Sequence, residues 1–256
     1  MQIYVCIKHV PDTGATIHLE SDTSYDESIK YVINPYDEYA IEEALRIVEG
    51  QGSGEVVIVC VGKTSAASSI TAALGLGADR GILVQTDQSF LDSGLTALAL
   101  KKAIEMDGQP FLILTGKQSV DTEGMQVPYR LANLLDMPVI TNVAGFKLAD
   151  GMAVVERELE GGTREVIEIA LPCVVGATKG LNEPRYVKIT NLIKAKKKEI
   201  KQMDILDLQV EGNGSGSELL KLSRVPERKG AHLLEGTPDE MARELVRLLR
   251  EEARVI

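Results

Sequence analysis

Tryptophan is absent, and three Phe and seven Tyr hold the aromatic share to 4% of 256 residues. A chain so poor in flat side chains lacks the stacking platforms of a single-strand nucleic-acid binder. Positive charge is also in deficit. Lys plus Arg number 28 against 38 Asp plus Glu, a formal charge of −10, which is the wrong sign for a general nucleic-acid partner. No apolar run reaches the ~18 residues of a membrane span. Cys6, Cys60 and Cys173 are far apart, with no C-x-x-C and no His at ligand spacing, so neither a metal centre nor a disulfide framework is expected. An odd number of cysteines on apolar segments reads as reduced, buried thiols in a cytoplasmic setting. Met1 leads straight into Gln2-Ile3-Tyr4-Val5-Cys6-Ile7 with no basic region or cleavage site, which reads as a first strand rather than a signal peptide. There is no G-x-S-x-G and no Cys/His pairing. His9, His18 and His232 share no obvious partner, and the paired carboxylates Glu42 and Glu43 are expected to face water.

What is present is an alternation of strand and helix. Short β-rich runs at Ile3–Ile7, Val56–Val61, Ile82–Val84 and Phe111–Leu114 are separated by helical stretches at Asp37–Val48, Ser65–Leu76 (opening after Thr64, a good cap) and Leu95–Met106. Ala40, Ile41, Ala44, Leu45 and Val48 make one apolar stripe. Strands apolar on both faces and joined by helices predict a parallel sheet with right-handed crossovers. Beyond residue ~138 the pattern changes. Val154–Leu159 and Arg164–Ile169 flank Gly161-Gly162 as an antiparallel pair, and Leu171–Val175 follows as another strand. The fold class is therefore α/β: a three-layer, mostly parallel nucleotide-binding sheet flanked by helices, with an added antiparallel segment and a C-terminal arm. The organisation expected is an α/β domain over residues 1–205 and a linker with a docking arm over 206–256. Glu211–Ser217 reads as a flexible linker. Thr237-Pro238-Asp239-Glu240 is a capping box that opens a helix with Met241, Leu245, Leu248 and Leu249 on one stripe.

Ligands of such sheets bind past the carboxyl ends of the strands. Val61-Gly62-Lys63-Thr64 fails as a P-loop, because Val57 stands where the first Gly is required. Asn34-Pro35-Tyr36-Asp37 reads as a helix start able to hold a phosphate through free N–H groups, or as a plain cap. Gly116-Lys117-Gln118-Ser119-Val120-Asp121 follows a strand, and Pro128 places the next helix near Val127. In that loop Gly116 would let backbone approach a ligand, Lys117 would supply charge, and Gln118, Ser119 and Asp121 would bond a ribose or phosphate. The run Lys194-Ala195-Lys196-Lys197-Lys198 is a positive island, either a solvated face or a docking patch for an acidic partner. A nucleotide-shaped cleft without acid–base machinery suits a protein that only positions a cofactor.

Leu181-Asn182-Glu183-Pro184-Arg185-Tyr186, followed by Ile189-Thr190-Asn191-Leu192-Ile193 and the lysine run, closely resembles the signature of the electron transfer flavoprotein β subunit. Val5-Cys6-Ile7-Lys8, Asn34–Glu38, Ala78-Asp79-Arg80-Gly81, Gly116-Lys117-Gln118 and Glu156-Arg157-Glu158 with Gly161-Gly162 match in order, so the likeness spans nearly the whole chain. The resemblance implies a heterodimer with an α subunit, FAD at the interface, and AMP buried in the β chain. Electrons would pass from acyl-CoA dehydrogenase-type flavoproteins to a quinone oxidoreductase. By position the AMP pocket would involve Cys6, Asn34, Pro35, Tyr36, Asp37, Val61, Leu112, Gly116, Lys117, Gln118, Ser119, Val120, Asp121, Thr122, Gln126 and Val127, with Thr13 and Tyr36 nearest the interface flavin. Leu181 would be the leucine that inserts into the dehydrogenase, rimmed by Lys194, Lys196, Lys197 and Lys198.

Two alternatives stand beside this. Val10-Pro11-Asp12-Thr13 looks like electron-bifurcating members, in which a second, redox-active FAD replaces AMP and reacts with NADH. Outside the family, a nucleotide-binding regulatory domain would need neither partner nor flavin. A hydrolase would need a positioned base, and none is visible.

Overall fold

The computed structural model describes residues 1–149, 151–210, 216–225 and 230–256. The strands are β1 (Gln2–Ile7), β2 (His9–Pro11), β3 (Tyr31–Ile33), β4 (Glu55–Gly62), β5 (Arg80–Gln85), β6 (Leu112–Gly116), β7 (Val139–Ala149), β8 (Met152–Glu158), β9 (Arg164–Ala170), β10 (Val174–Ala177) and β11 (Ile200–Asp204). The helices are α1 (Pro35–Gln51), α2 (Ala67–Leu76), α3 (Ser93–Asp107), α4 (Val127–Leu135), α5 (Ile189–Ala195) and α6 (Pro238–Arg247). Among the described residues nine strands form one sheet in the order β11-β5-β4-β1-β6-β10-β7-β8-β9, and β2 pairs with β3 apart from it. The pairings from β11 through β7 are parallel, and β8 and β9 add antiparallel strands at one edge.

Alternation along the strands builds two cores. Ile3, Val5 and Ile7 of β1 pack with α1 and α2 on one face, while Tyr4 and Cys6 pack with α3 and α4 on the other. Complete burial of Ile3, Ile58, Ile82 and Leu114 is worth about 1.5–3 kcal/mol for each side chain. The three layers expected from the strand–helix alternation are therefore present. The short hairpin β2–β3, α5 and β11 carried no sequence signal strong enough to be anticipated. Thr64 does not cap α2; it lies inside a 3₁₀ turn, Thr64–Ala66, that leads into the helix.

The chain winds outward from β1 to β4 and β5. It then returns through α3 to β6, on the other side of β1. That reversal parts the loops at the carboxyl ends of β1 and β6 and opens a crevice between them. Two compact units are found, Met1–Leu222 and Ser223–Ile256. The first runs on past the expected boundary at 205/206: Leu208 and Val210 are buried among the residues on the α3 side. Of the expected linker, Glu211 to Ser215 lie outside the described residues, while Gly216 and Ser217 are exposed. In the second unit the capping box is formed. The Thr237 N–H donates to Glu240 Oε2 at 2.8 Å, and no residue of α6 is buried. No helix among the described residues is long and apolar enough to cross a membrane.

Candidate functional site

A cavity of about 660 Å³ occupies the crevice. This is within the range of roughly 300–1,000 Å³ typical of small-molecule sites. Its floor is the carboxyl ends of β1, β4 and β6, through Cys6, Ile7, Val61, Gly62, Thr115 and Gly116. Four helix starts converge on it: Asn34 and Asp37 at α1, Ser65 and Ser68 at α2, Ser93 and Thr96 at α3, and Gln126 and Val127 at α4. Each start leaves N–H groups without an intrahelical acceptor and presents the positive end of a helix dipole. Convergence of four makes the cavity favourable to anions.

The loop from Gly116 to Gln126 is tied to α1 by a buried network. Asp37 accepts from the Lys8 N–H at 2.7 Å, the Gly116 N–H at 3.0 Å and Asn34 Nδ2 at 2.9 Å. Asn34 Nδ2 also donates to the Gln118 carbonyl at 2.9 Å, and its Oδ1 accepts from the Val120 N–H at 3.1 Å. Asn34 thus spends its side chain on the loop and makes no cap bond to α1. Burial pushes the Asp37 carboxyl up to about 7, with the three donors opposing that rise. Gly116 is required by this packing: a Cβ there would collide with Asp37 Oδ1 and lie 2.7 Å from Tyr36 Cβ. Further along the loop Glu123 and Met125 hold φ of 49° and 53°, left-handed values that store strain beside the cavity.

Ion pairs line the walls. Lys8 Nζ lies 2.7 Å from Asp121, and Lys63 Nζ lies 2.7 Å from Glu27 and 2.8 Å from Ser89 Oγ. His9, which has no partner visible in the sequence, stacks on Tyr31 at 4.6 Å and places Nδ1 2.8 Å from Ser69 Oγ. Burial lowers the His9 pKa. With Tyr25 and Phe90, His9 and Tyr31 make an aromatic mouth in a chain otherwise poor in rings.

Of the anticipated pocket residues, Cys6, Asn34, Asp37, Val61, Gly116, Gln118, Ser119, Asp121, Thr122, Gln126 and Val127 line the cavity. Leu112 does not. It starts β6, at the end of the strand away from the cavity, and is wholly buried in the core. Pro35, Tyr36, Lys117 and Val120 also lie off the lining, as does Thr13, the residue expected beside the interface flavin rather than in the pocket. Lys117 instead sits over the Tyr36 ring at 5.2 Å, and Thr13 is exposed. The β5–α3 loop (Thr86, Gln88, Ser89, Phe90) and the β2–β3 loop (Tyr25, Glu27, Ile29) were missed. Gly62 and Lys63, which fail as a P-loop, both line the cavity. Their signal was position after a strand, not motif. All three thiols are free and buried, and burial pushes those of Cys60 and Cys173 up to about 12.

A second feature lies over α1. Glu42 and Glu43 do not face water: both are buried beneath the segment from Leu181 to Tyr186. Leu181, expected as the leucine that inserts into a partner, is half-buried and packs on this chain's own core. The most exposed apolar side chains nearby are Tyr186 (96%), Ile189 (80%) and Ile193 (60%). Lys194, Lys196 and Lys197 are exposed. Lys198 turns inward, donating to the Leu74 and Ala78 carbonyls at 3.2 and 2.5 Å, where it caps α2 rather than joining a charged rim.

A family model described as "Electron transfer flavoprotein domain" matches residues 22–208. The "Electron transfer flavoprotein subunit beta" of Bacillus subtilis is 37% identical over the full length of both chains. That of Syntrophomonas wolfei is 34% identical, covering all of this chain and 98% of its own. The "Caffeyl-CoA reductase-Etf complex subunit CarD" of Acetobacterium woodii is 32% identical over 98% of each. With the parallel sheet, the crevice at its reversal and the matching segments in order, these likenesses establish that the chain belongs to the electron transfer flavoprotein family, similar along its whole length to the β subunits.

Proposed function

We propose that this chain is a β subunit that binds AMP in the crevice and, with an α subunit, borders an interface FAD. It would relay electrons from acyl-CoA dehydrogenase-type flavoproteins to a quinone oxidoreductase in the cytoplasm. The observation that carries the reading is the cavity at the sheet's reversal, ringed by four helix starts. The residues fit a nucleotide. Helix-start amides and the side chains of Gln118, Ser119, Ser65 and Gln126 suit phosphate and ribose, while Cys6, Val61 and Val127 give an apolar wall for a base. Asn34 and Asp37 act from beneath by holding the loop. A nucleotide in the cavity would be structural. FAD, when bound, supplies the electron-accepting and electron-donating chemistry. Thr13 and Tyr36 are the residues we assign to its side of the interface.

The exposed apolar side chains Tyr186, Ile189 and Ile193, beside Lys194, Lys196 and Lys197, would meet the dehydrogenase. Leu181 would set the base of that loop. The exposed stripe of α6, within the second unit Ser223–Ile256 as the arm, would engage the α subunit. A second reading is a bifurcating subunit with a second FAD in place of AMP. It is favoured by the aromatic mouth of His9, Tyr31, Tyr25 and Phe90, and by the likeness to the caffeyl-CoA reductase subunit. Co-purification with the α subunit tests the proposal. It predicts a yellow heterodimer whose flavin is bleached anaerobically by an acyl-CoA dehydrogenase with its substrate. A colourless chain that takes no partner would instead support a regulatory nucleotide-binding domain.

A further inference from the structure

The segment between β10 and the lysine run is fastened at both ends. At its start Asn182 Nδ2 donates to the Tyr39 carbonyl and to Glu43 Oε2, both at 2.9 Å. Arg185 then spans two turns of α1. Its Nε donates to Glu42 Oε2 at 2.7 Å, and its other nitrogens donate to Glu49 Oε1 and Oε2 at 2.7 and 3.1 Å. The Arg185 N–H also donates to Glu42 Oε2, at 3.2 Å. At the far end Lys198 is bonded to the end of α2. Gly75 of α2 lets the segment lie close, since a Cβ there would sit 3.0 Å from Val187 and 3.5 Å from Leu192. Between the fastenings, Tyr186, Ile189 and Ile193 project into solvent.

Exposed apolar side chains on a free loop would lose much of their binding energy to ordering on docking, whereas a loop already held loses little. We infer that Arg185, through its fork to Glu42 and Glu49, is a positioning residue that holds Tyr186, Ile189 and Ile193 in the conformation a partner flavoprotein recognises. The inference rests on the docking reading above. Lysine is a poor substitute, because its compact ammonium lacks the planar fork that bonds both carboxylates in pairs.

The test uses the intact heterodimer with an acyl-CoA dehydrogenase as electron donor. Arg185→Lys and Glu49→Gln should speed amide exchange across residues 186–193. Both should raise the KM for the flavoprotein by roughly tenfold, with kcat and bound flavin unchanged. Glu49 is well exposed, so its variant folds even if Arg185→Lys does not. Ile189→Glu provides the separate control for docking. If it raises KM while the clamp variants do not, the positioning role is overturned and docking stands. If Ile189→Glu leaves KM unchanged, the docking reading itself fails.

Discussion

Replacing Gly116 by alanine places a methyl group against Asp37 Oδ1 and 2.7 Å from Tyr36 Cβ, at the junction of β6 and α1. Neither neighbour can retreat, because Asp37 is held by three donors and Tyr36 belongs to the first turn of α1. Overpacking of this kind costs about 1–3 kcal/mol. Separating the Gly116 N–H from a carboxylate adds about 1.5–3 kcal/mol. The sum, about 2.5–6 kcal/mol, should lower Tm by about 10 °C for a unit of this size. The loop that carries Gln118 and Ser119 should shift as well, weakening nucleotide retention. Thermal melts by circular dichroism, with and without added AMP, measure both effects. A Gly116→Ala protein that melts within about 2 °C of the wild type and keeps its nucleotide would refute the packing argument.

Because burial raises the Asp37 pKa to about 7, the folded state holds that proton more tightly than the unfolded state does. Its stabilising contribution is complete below about pH 4 and is lost as pH rises through 7. Urea midpoints of the wild type should carry this falling component and Asp37→Asn should lack it; identical pH slopes would refute the assignment. Arg80 bridges Glu55 and Asp107 at 2.8 Å each, and Tyr4 donates to the same Asp107 at 2.8 Å. Arg80→Met removes the cation shared by two carboxylates that keep Tyr4 and Gln2 as donors, and should cost about 1–3 kcal/mol in urea unfolding, so an unchanged midpoint would count against a stabilising network. Removing residues 223–256 should leave the circular dichroism of the first unit intact while abolishing assembly with the α subunit; normal assembly would dismiss the arm.

The parallel sheet was legible because β1, β4 and β6 are continuous apolar runs and α1 shows its stripe, signals that depend only on local periodicity. The Gly116–Gln126 loop was legible for a similar reason, since a glycine after a strand and Pro128 mark both its ends. What sequence could not show was contact across distance. Glu42 and Glu43 read as solvated because nothing local announces that Asn182 and Arg185, some 140 positions away, cover them. Lys198 read as a surface charge because the carbonyls it caps belong to another helix. Leu112 was placed in the pocket by position along a motif, and strand direction puts it at the opposite end of β6. His9 found Ser69 and Tyr31 only through folding, which brought a short hairpin against α2.

The central claim is that the crevice holds an adenine nucleotide while the flavin lies between two chains. Denaturing the purified heterodimer and identifying what it releases, counted per β chain, tests this most directly. The account predicts one AMP and one FAD. A heterodimer that releases FAD alone, with the cavity empty of any nucleotide, would contradict it.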